Sequence, residues 1–199
     1  MDFRGALFER IAREARPADK FGHQPRLYAL TQEVGIGQTY DDDVVYAAAF
    51  LHDLGVFIGH RPEDPVALAG WDHVAYALGR GPALLIDAGF PSEKVEAVLD
   101  AIRLHQPHDN PVAIEAVILR DADILEQLGA VGIMRALAKV GRDTRFATFT
   151  PVIATLRRNL EKLPGQLRLK RSRELAEPKM RILEAFLTAA DRESLPALY

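Results

Sequence analysis

Apolar residues recur at helical spacing along almost the whole chain, and Pro, Gly and capping residues break the runs into helix-length segments. A first helix is expected from about 3 to 15, stopping before Pro17. A second should run from His23 or Pro25 to near Gly35, since proline is tolerated in a first turn. The third, DDDVVYAAAFLHDLG, offers Asp41 to Asp43 as cap and favourable first-turn charge, with Gly55 where a C-terminal cap belongs. Further helices are expected at about 71–87, from a Ser92 cap through EKVEAVLDAIRLH, and from Pro111 to Gly129. Shorter ones follow at about 131–140 and 151–163, and a last at about 172–190. No segment alternates as a strand does, so the expected fold class is all-α.

Composition narrows the function classes. The 199 residues are 48% hydrophobic, enough for a single domain with a real core. There is no cysteine, which excludes disulfide scaffolds, thiolate metal sites and cysteine catalysis. A net charge of -3 gives no reason to expect a nucleic-acid polymer or a membrane as partner. The opening MDFRGALFERIAREARP lacks the apolar stretch of a signal peptide, and no run approaches a bilayer span. The expectation is a soluble, cytoplasmic protein, monomer or homodimer. The basic stretch RRNLEKLPGQLRLKRSRELAEPKMR is read as a solvated helix face backed by a leucine stripe.

Candidate chemistry lies in the histidines, at 23, 52, 60, 73, 105 and 108. His52 and Asp53 sit side by side at the end of an apolar helix. Neighbours on a helix point about 100° apart, but a loosening helix end lets both turn towards one ion. His23 lies three residues before Arg26 on one helix face. Asp121 and Asp123 interrupt an otherwise apolar helix, and a buried carboxylate is costly unless paired or bound to a cation. Ile114, Val117, Ile118, Leu125 and Leu128 share the face of Asp121. His60 and His108 fall in the loops 55–70 and 106–111, as exposed or rim residues.

The order His23, His52-Asp53, His73, His105, Asp123 resembles the HD superfamily of metal-dependent phosphohydrolases. The stretches that carry the resemblance are HQPRLYAL, AAFLHDLG, DAIRLHQ and LRDADILEQLGAVGI. The last is similar to a D-A-D-x-L-D-A-x-G-A-x-G-I run in a bacterial branch that includes nucleoside-triphosphate pyrophosphohydrolases. The C-terminal helices resemble the same branch, so the likeness covers roughly residues 20 to 190. Three features depart from that branch: Asp19-Lys20 where it carries another His-Asp, VFIGHRPEDPVALAGWDH after the HD motif, and Glu126 in place of an Asp.

The resemblance implies a single HD-type helical domain over 1–199, with a core at about 20–140 and helices at about 150–190 packed on it. It implies one divalent ion on His23, His52, Asp53 and Asp123, the last preferred to Asp121 for its A-D-x-L context. His73 and His105 occupy positions that bind a second ion in two-metal members and face the substrate phosphate in one-metal members. Asp53, His73 and His105 are thus the implied catalytic residues. The ion would be Mn, Mg, Ni, Co or Fe, one or two per chain. Arg26 is the first candidate for contacting substrate phosphate, ahead of Lys20 and Arg103. The implied reaction is hydrolysis of a phosphoester or phosphoanhydride in a small phosphorylated molecule, with a nucleotide one candidate, by metal-activated water. Two alternatives stand beside it: a mixed-valent di-iron oxygenase using the same ligands, and a non-catalytic nucleotide-binding or signalling domain.

Overall fold

The computed structural model describes residues 2–141 and 146–194, and among them every regular element is helical apart from one isolated bridge, Ile58 to Arg61. In chain order the helices are α1 (Phe3–Glu14), α2 (His23–Val34), α3 (Asp42–Leu51), α4 (Pro65–Ala69), α5 (His73–Asp87) and α6 (Val95–Arg103). They continue as α7 (Ile114–Glu126), α8 (Gly129–Leu137), α9 (Phe149–Lys162) and α10 (Lys170–Glu193). The chain divides into two compact units, Met1–Arg120 and Asp121–Tyr199, with α7 running across the boundary.

In the first unit α3 is the central element, buried from Val44 to Leu51 on every side. That explains a run with no polar face. Burying Phe50 and Leu51 contributes about 1.5–3 kcal/mol each. The start of α3 is fixed by charge. The Asp41 carboxylate accepts from the N–H groups of Asp43 (3.0 Å) and Val44 (3.4 Å). Arg4 of α1 donates to Asp42 and Asp43, each at 2.7 Å, and Lys94 reaches Asp41 at 2.7 Å. Tyr28 of α2 donates to Asp42 at 2.9 Å. Burial, then the hydrogen bond to Asp42, pushes the Tyr28 hydroxyl up to about 12.

Two expected caps are corrected. Gly55 does not cap α3: the helix ends at Leu51 with His52 as C-cap, and Gly55 lies in a 3-10 turn, Leu54–Val56. Glycine is needed there for close approach. A Cβ on Gly55 would stand 2.7 Å from both the Cα and the carbonyl oxygen of His73. Trp71 Nε1 donates to the Gly55 carbonyl at 2.8 Å and holds that approach. Ser92 likewise caps no helix; it opens a short 3-10 turn, Ser92–Lys94, and α6 begins at Val95. Asp72 does cap α5, accepting from Val74 and Ala75 at 2.9 Å each.

In the second unit, the Asp121 carboxylate is fully buried and accepts from the N–H groups of Arg168 (3.0 Å) and Leu169 (2.9 Å). These open α10, so Asp121 supplies a cap from another element. Along α10, Ala176, Leu183 and Leu187 are buried, and Leu175, Met180 and Phe186 are half-buried. The charged residues of the basic stretch lie mostly on the exposed side. No helix of the described residues is long and apolar enough to cross a membrane.

Candidate metal centre

Two helix ends explain how neighbouring residues converge. At the end of α3, His52 is still helical, but Asp53 turns into the bridge region (φ -99, ψ 15). The backbone change cancels the divergence that a continuing helix would impose. His52 Nδ1 stands 3.0 Å from the Ala49 carbonyl, and His105 Nδ1 stands 2.6 Å from the Ile102 carbonyl. A carbonyl only accepts, so each Nδ1 carries the proton and each Nε2 presents a lone pair. Both carbonyls belong to the last turn of a helix, α3 or α6, where they have no intrahelical partner. Each histidine thus uses a free helix end to fix its tautomer and ring direction.

The lone pairs meet around Asp53. His23 Nε2 and His52 Nε2 are 3.3 Å apart, and each stands 3.6 Å from Asp53 Oδ2. The other carboxylate oxygen, Oδ1, faces His73 Nε2 at 3.8 Å. Two ligand groups result, His23–His52–Asp53 and Asp53–His73–His105, sharing the aspartate. Donors about 2.1 Å from a divalent ion stand roughly 3.0–3.4 Å from each other. The first group matches that spacing closely, with nitrogen and oxygen donors and no thiolate, so its residues fit a divalent cation. His23, His52 and His105 are almost wholly buried, and the Asp53 side chain is 20% exposed. Burial pushes the Asp53 carboxyl up, but positive charge on the surrounding His52, His23, His105 and His73, or on a cation held by them, pulls it well below the usual carboxylate range. Asp53 is therefore ionised at neutral pH.

Helix polarity divides the centre by charge. His52 and His105 sit at helix C-termini, which favour a cation, while His23 and His73 are the first residues of α2 and α5, whose N-termini favour an anion. A cavity of about 450 Å³ opens beside the second group, lined by Asp72, His73, Leu78, Arg103, Gln106 and His108.

Asp123 lies in the second unit, half-buried, and accepts from Gln127 Nε2 at 3.3 Å. Asp121, on the buried face that periodicity assigned it, caps α10. Arg26 is exposed one turn after His23, its guanidinium folded over Gly22. Arg103 pairs with Asp100 and Glu96 on the surface. His108 is 81% exposed. His60 corrects its reading as a rim residue: its ring packs edge-on against Phe57 and Tyr76, with Nε2 3.4 Å from Glu14. Sequence reasoning missed Gln106, whose amide nitrogen stands 3.2 Å from both His73 Nε2 and His105 Nε2. Its position next to His105 was the only available signal.

An all-helical unit that gathers four histidines around one carboxylate at helix ends defines a class of metal-binding helical domain. The chain belongs to the HD domain family, whose model matches residues 20–128. Solved structures share the fold over nearly the full length. Bacillus subtilis YpgQ is 21% identical, with a TM-score of 0.75 over 99% of this chain and 97% of that one. YpgQ has also been solved in complex with ADP, where it is 20% identical with a TM-score of 0.73 over 98% of this chain and 100% of that one. An HD-superfamily hydrolase from Bacillus thuringiensis is 20% identical, with a TM-score of 0.68 over 98% and 97% of the two chains. No curated protein matches the sequence.

Proposed function

We propose that this protein is a metal-dependent phosphohydrolase that cleaves a phosphoester or phosphoanhydride in a small phosphorylated molecule, with a nucleotide the first candidate. The observation that carries this reading is the pair of ligand groups sharing Asp53, with His52 and His105 held in the tautomer that turns Nε2 towards it. His23, His52 and Asp53 would hold one divalent ion, with Asp123 as the fourth ligand on the strength of its motif. Such an ion, when bound, acidifies water and neutralises charge gathering on phosphoryl oxygens.

The protein's own groups do the rest. Asp53 keeps its charge at neutral pH and reaches both ligand groups through different oxygens. His105 is locked with a proton on Nδ1, so its Nε2 is a proton acceptor facing the second group. His73, at the start of α5 and 29% exposed, lines the cavity, where its Nε2 can take a proton. Arg26 would donate to phosphoryl oxygens from the start of α2. The cavity, at about 450 Å³, is within the size range of small-molecule sites. The ADP complex of the similarly folded YpgQ favours a nucleotide as the first substrate class to try.

The test is metal analysis of the purified protein, followed by a screen for phosphate or pyrophosphate release across nucleotides and sugar phosphates. A bound divalent ion with metal-dependent release is the expected result. No retained metal and no release would refute the proposal. Two irons per chain with oxygen uptake would assign the protein to the oxygenase class instead.

A further inference from the structure

Gln106 occupies an unusual position. Its side-chain nitrogen lies 3.2 Å from His73 Nε2 and 3.2 Å from His105 Nε2. A carboxamide NH2 has two protons and no lone pair to offer, so both ring nitrogens must accept. For His105 the Ile102 carbonyl independently requires this tautomer. The two lone pairs that would ligate an ion in the Asp53–His73–His105 group are therefore already used by one NH2 group.

The residue is held there by its backbone. Its N–H donates to Asp109 Oδ2 at 2.9 Å. Its carbonyl accepts from Arg120 Nε at 3.2 Å, and the same buried guanidinium donates to the Pro107 carbonyl. Both sides of Gln106 are thus anchored while the side chain spans the ligand group. The ring nitrogens of His23 and His52 in the other group face each other at 3.3 Å.

We propose that Gln106 sets the metal stoichiometry: its amide fills the Asp53–His73–His105 position, so that the centre takes one ion tightly, on His23, His52 and Asp53, and resists a second. The inference rests on the metal-binding reading above. An ion entering the second position must break both amide hydrogen bonds and expel the side chain into the adjoining cavity, which Gln106 also lines. Two hydrogen bonds of ordinary net strength correspond to about 5- to 150-fold in affinity.

The experiment is calorimetric titration of the full-length, metal-stripped protein with Mn²⁺ alone, followed by electron paramagnetic resonance at two equivalents. Wild type should bind one Mn²⁺ per chain tightly. Gln106→Ala should bind a second equivalent about 5- to 150-fold more tightly than wild type does, with the spectrum of a spin-coupled pair. Gln106→Glu keeps the shape but offers a carboxylate in place of the NH2 group, and it too should gain the second ion; it decides the matter if the alanine variant melts early. Two equally tight ions in wild type, or second-site affinity unchanged in folded variants, would overturn the role of Gln106 while leaving the metal centre intact. Absence of any Mn²⁺ binding by wild type would overturn the metal reading itself.

Discussion

Substituting Gly55 by alanine tests how the HD turn is coupled to the centre, because the perturbation starts on backbone and ends on a ligand. The added methyl would sit 2.7 Å from His73 Cα and from the His73 carbonyl oxygen, against the 3.4 Å at which ordinary contact begins. Something must therefore move by about 0.7 Å, and neither contact is the end of a flexible side chain. The Trp71 hydrogen bond to the Gly55 carbonyl resists separation of the two segments, so the displacement falls largely on the first turn of α5. His73 is the first residue of that helix and faces Asp53 Oδ1. Overpacking of this kind costs about 1–3 kcal/mol, which in a chain of this size lowers the melting temperature by roughly 2–12 °C. A displacement near 1 Å at a reacting group can cost about 100-fold in rate. Differential scanning calorimetry and turnover on a confirmed phosphorylated substrate read the two effects. A Gly55→Ala protein that melts and turns over like wild type would refute the close-approach argument.

Three further outcomes are expected. Asp53→Ala should abolish tight metal binding and hydrolysis, whereas His108→Ala, at an exposed loop position outside both ligand groups, should leave metal binding nearly unchanged; inductively coupled plasma mass spectrometry checks the metal. Arg26→Ala should retain metal and fold but lose about 2–4 kcal/mol of transition-state stabilisation, roughly 30- to 1,000-fold in kcat/KM, with Arg26→Lys recovering only part. The folded-state pKa of Asp42 is lowered, against its burial, by hydrogen bonds from Arg4, Gln32 and Tyr28, so its contribution is present above the ordinary carboxylate range and is lost as pH falls through the lower folded value. Asp42→Asn should therefore be less stable at pH 7, with a shallower loss towards acid in urea melts followed by circular dichroism.

Most of the helices could be read from the chain because each announces itself locally. Asp41 marks the start of α3 and Pro25 falls in the first turn of α2, and the apolar run from Val44 to Leu51 shows by its composition that it is buried on all sides. The failures share one cause. Gly55 resembles a helix cap in sequence, yet its reason is the backbone of His73, eighteen positions along. Ser92 has the right chemistry for a cap, but the backbone there turns through a 3-10 segment before α6 starts. Local rules describe what a residue can do for its own segment; they do not say which distant segment will need it.

The candidate centre divides along the same line. The chemistry of each ligand is local, so imidazoles and carboxylates at helix ends stand out in the chain. Their aim is not local. His52 and Asp53 become partners because the helix stops between them, and His52 and His105 point inward because an unused helix carbonyl takes the proton from each Nδ1. Those carbonyls lie three residues before the histidines, at Ala49 and Ile102, which carry no side-chain signal at all. Gln106 is the extreme case: a neutral amide between two ligands, invisible to a search for metal-binding residue types, yet it contests the same two lone pairs as a second ion would. The number of ions such a centre holds therefore depends on more than its count of ligands. A complete ligand set is necessary for two ions, and what occupies the lone pairs beforehand decides whether the second one binds.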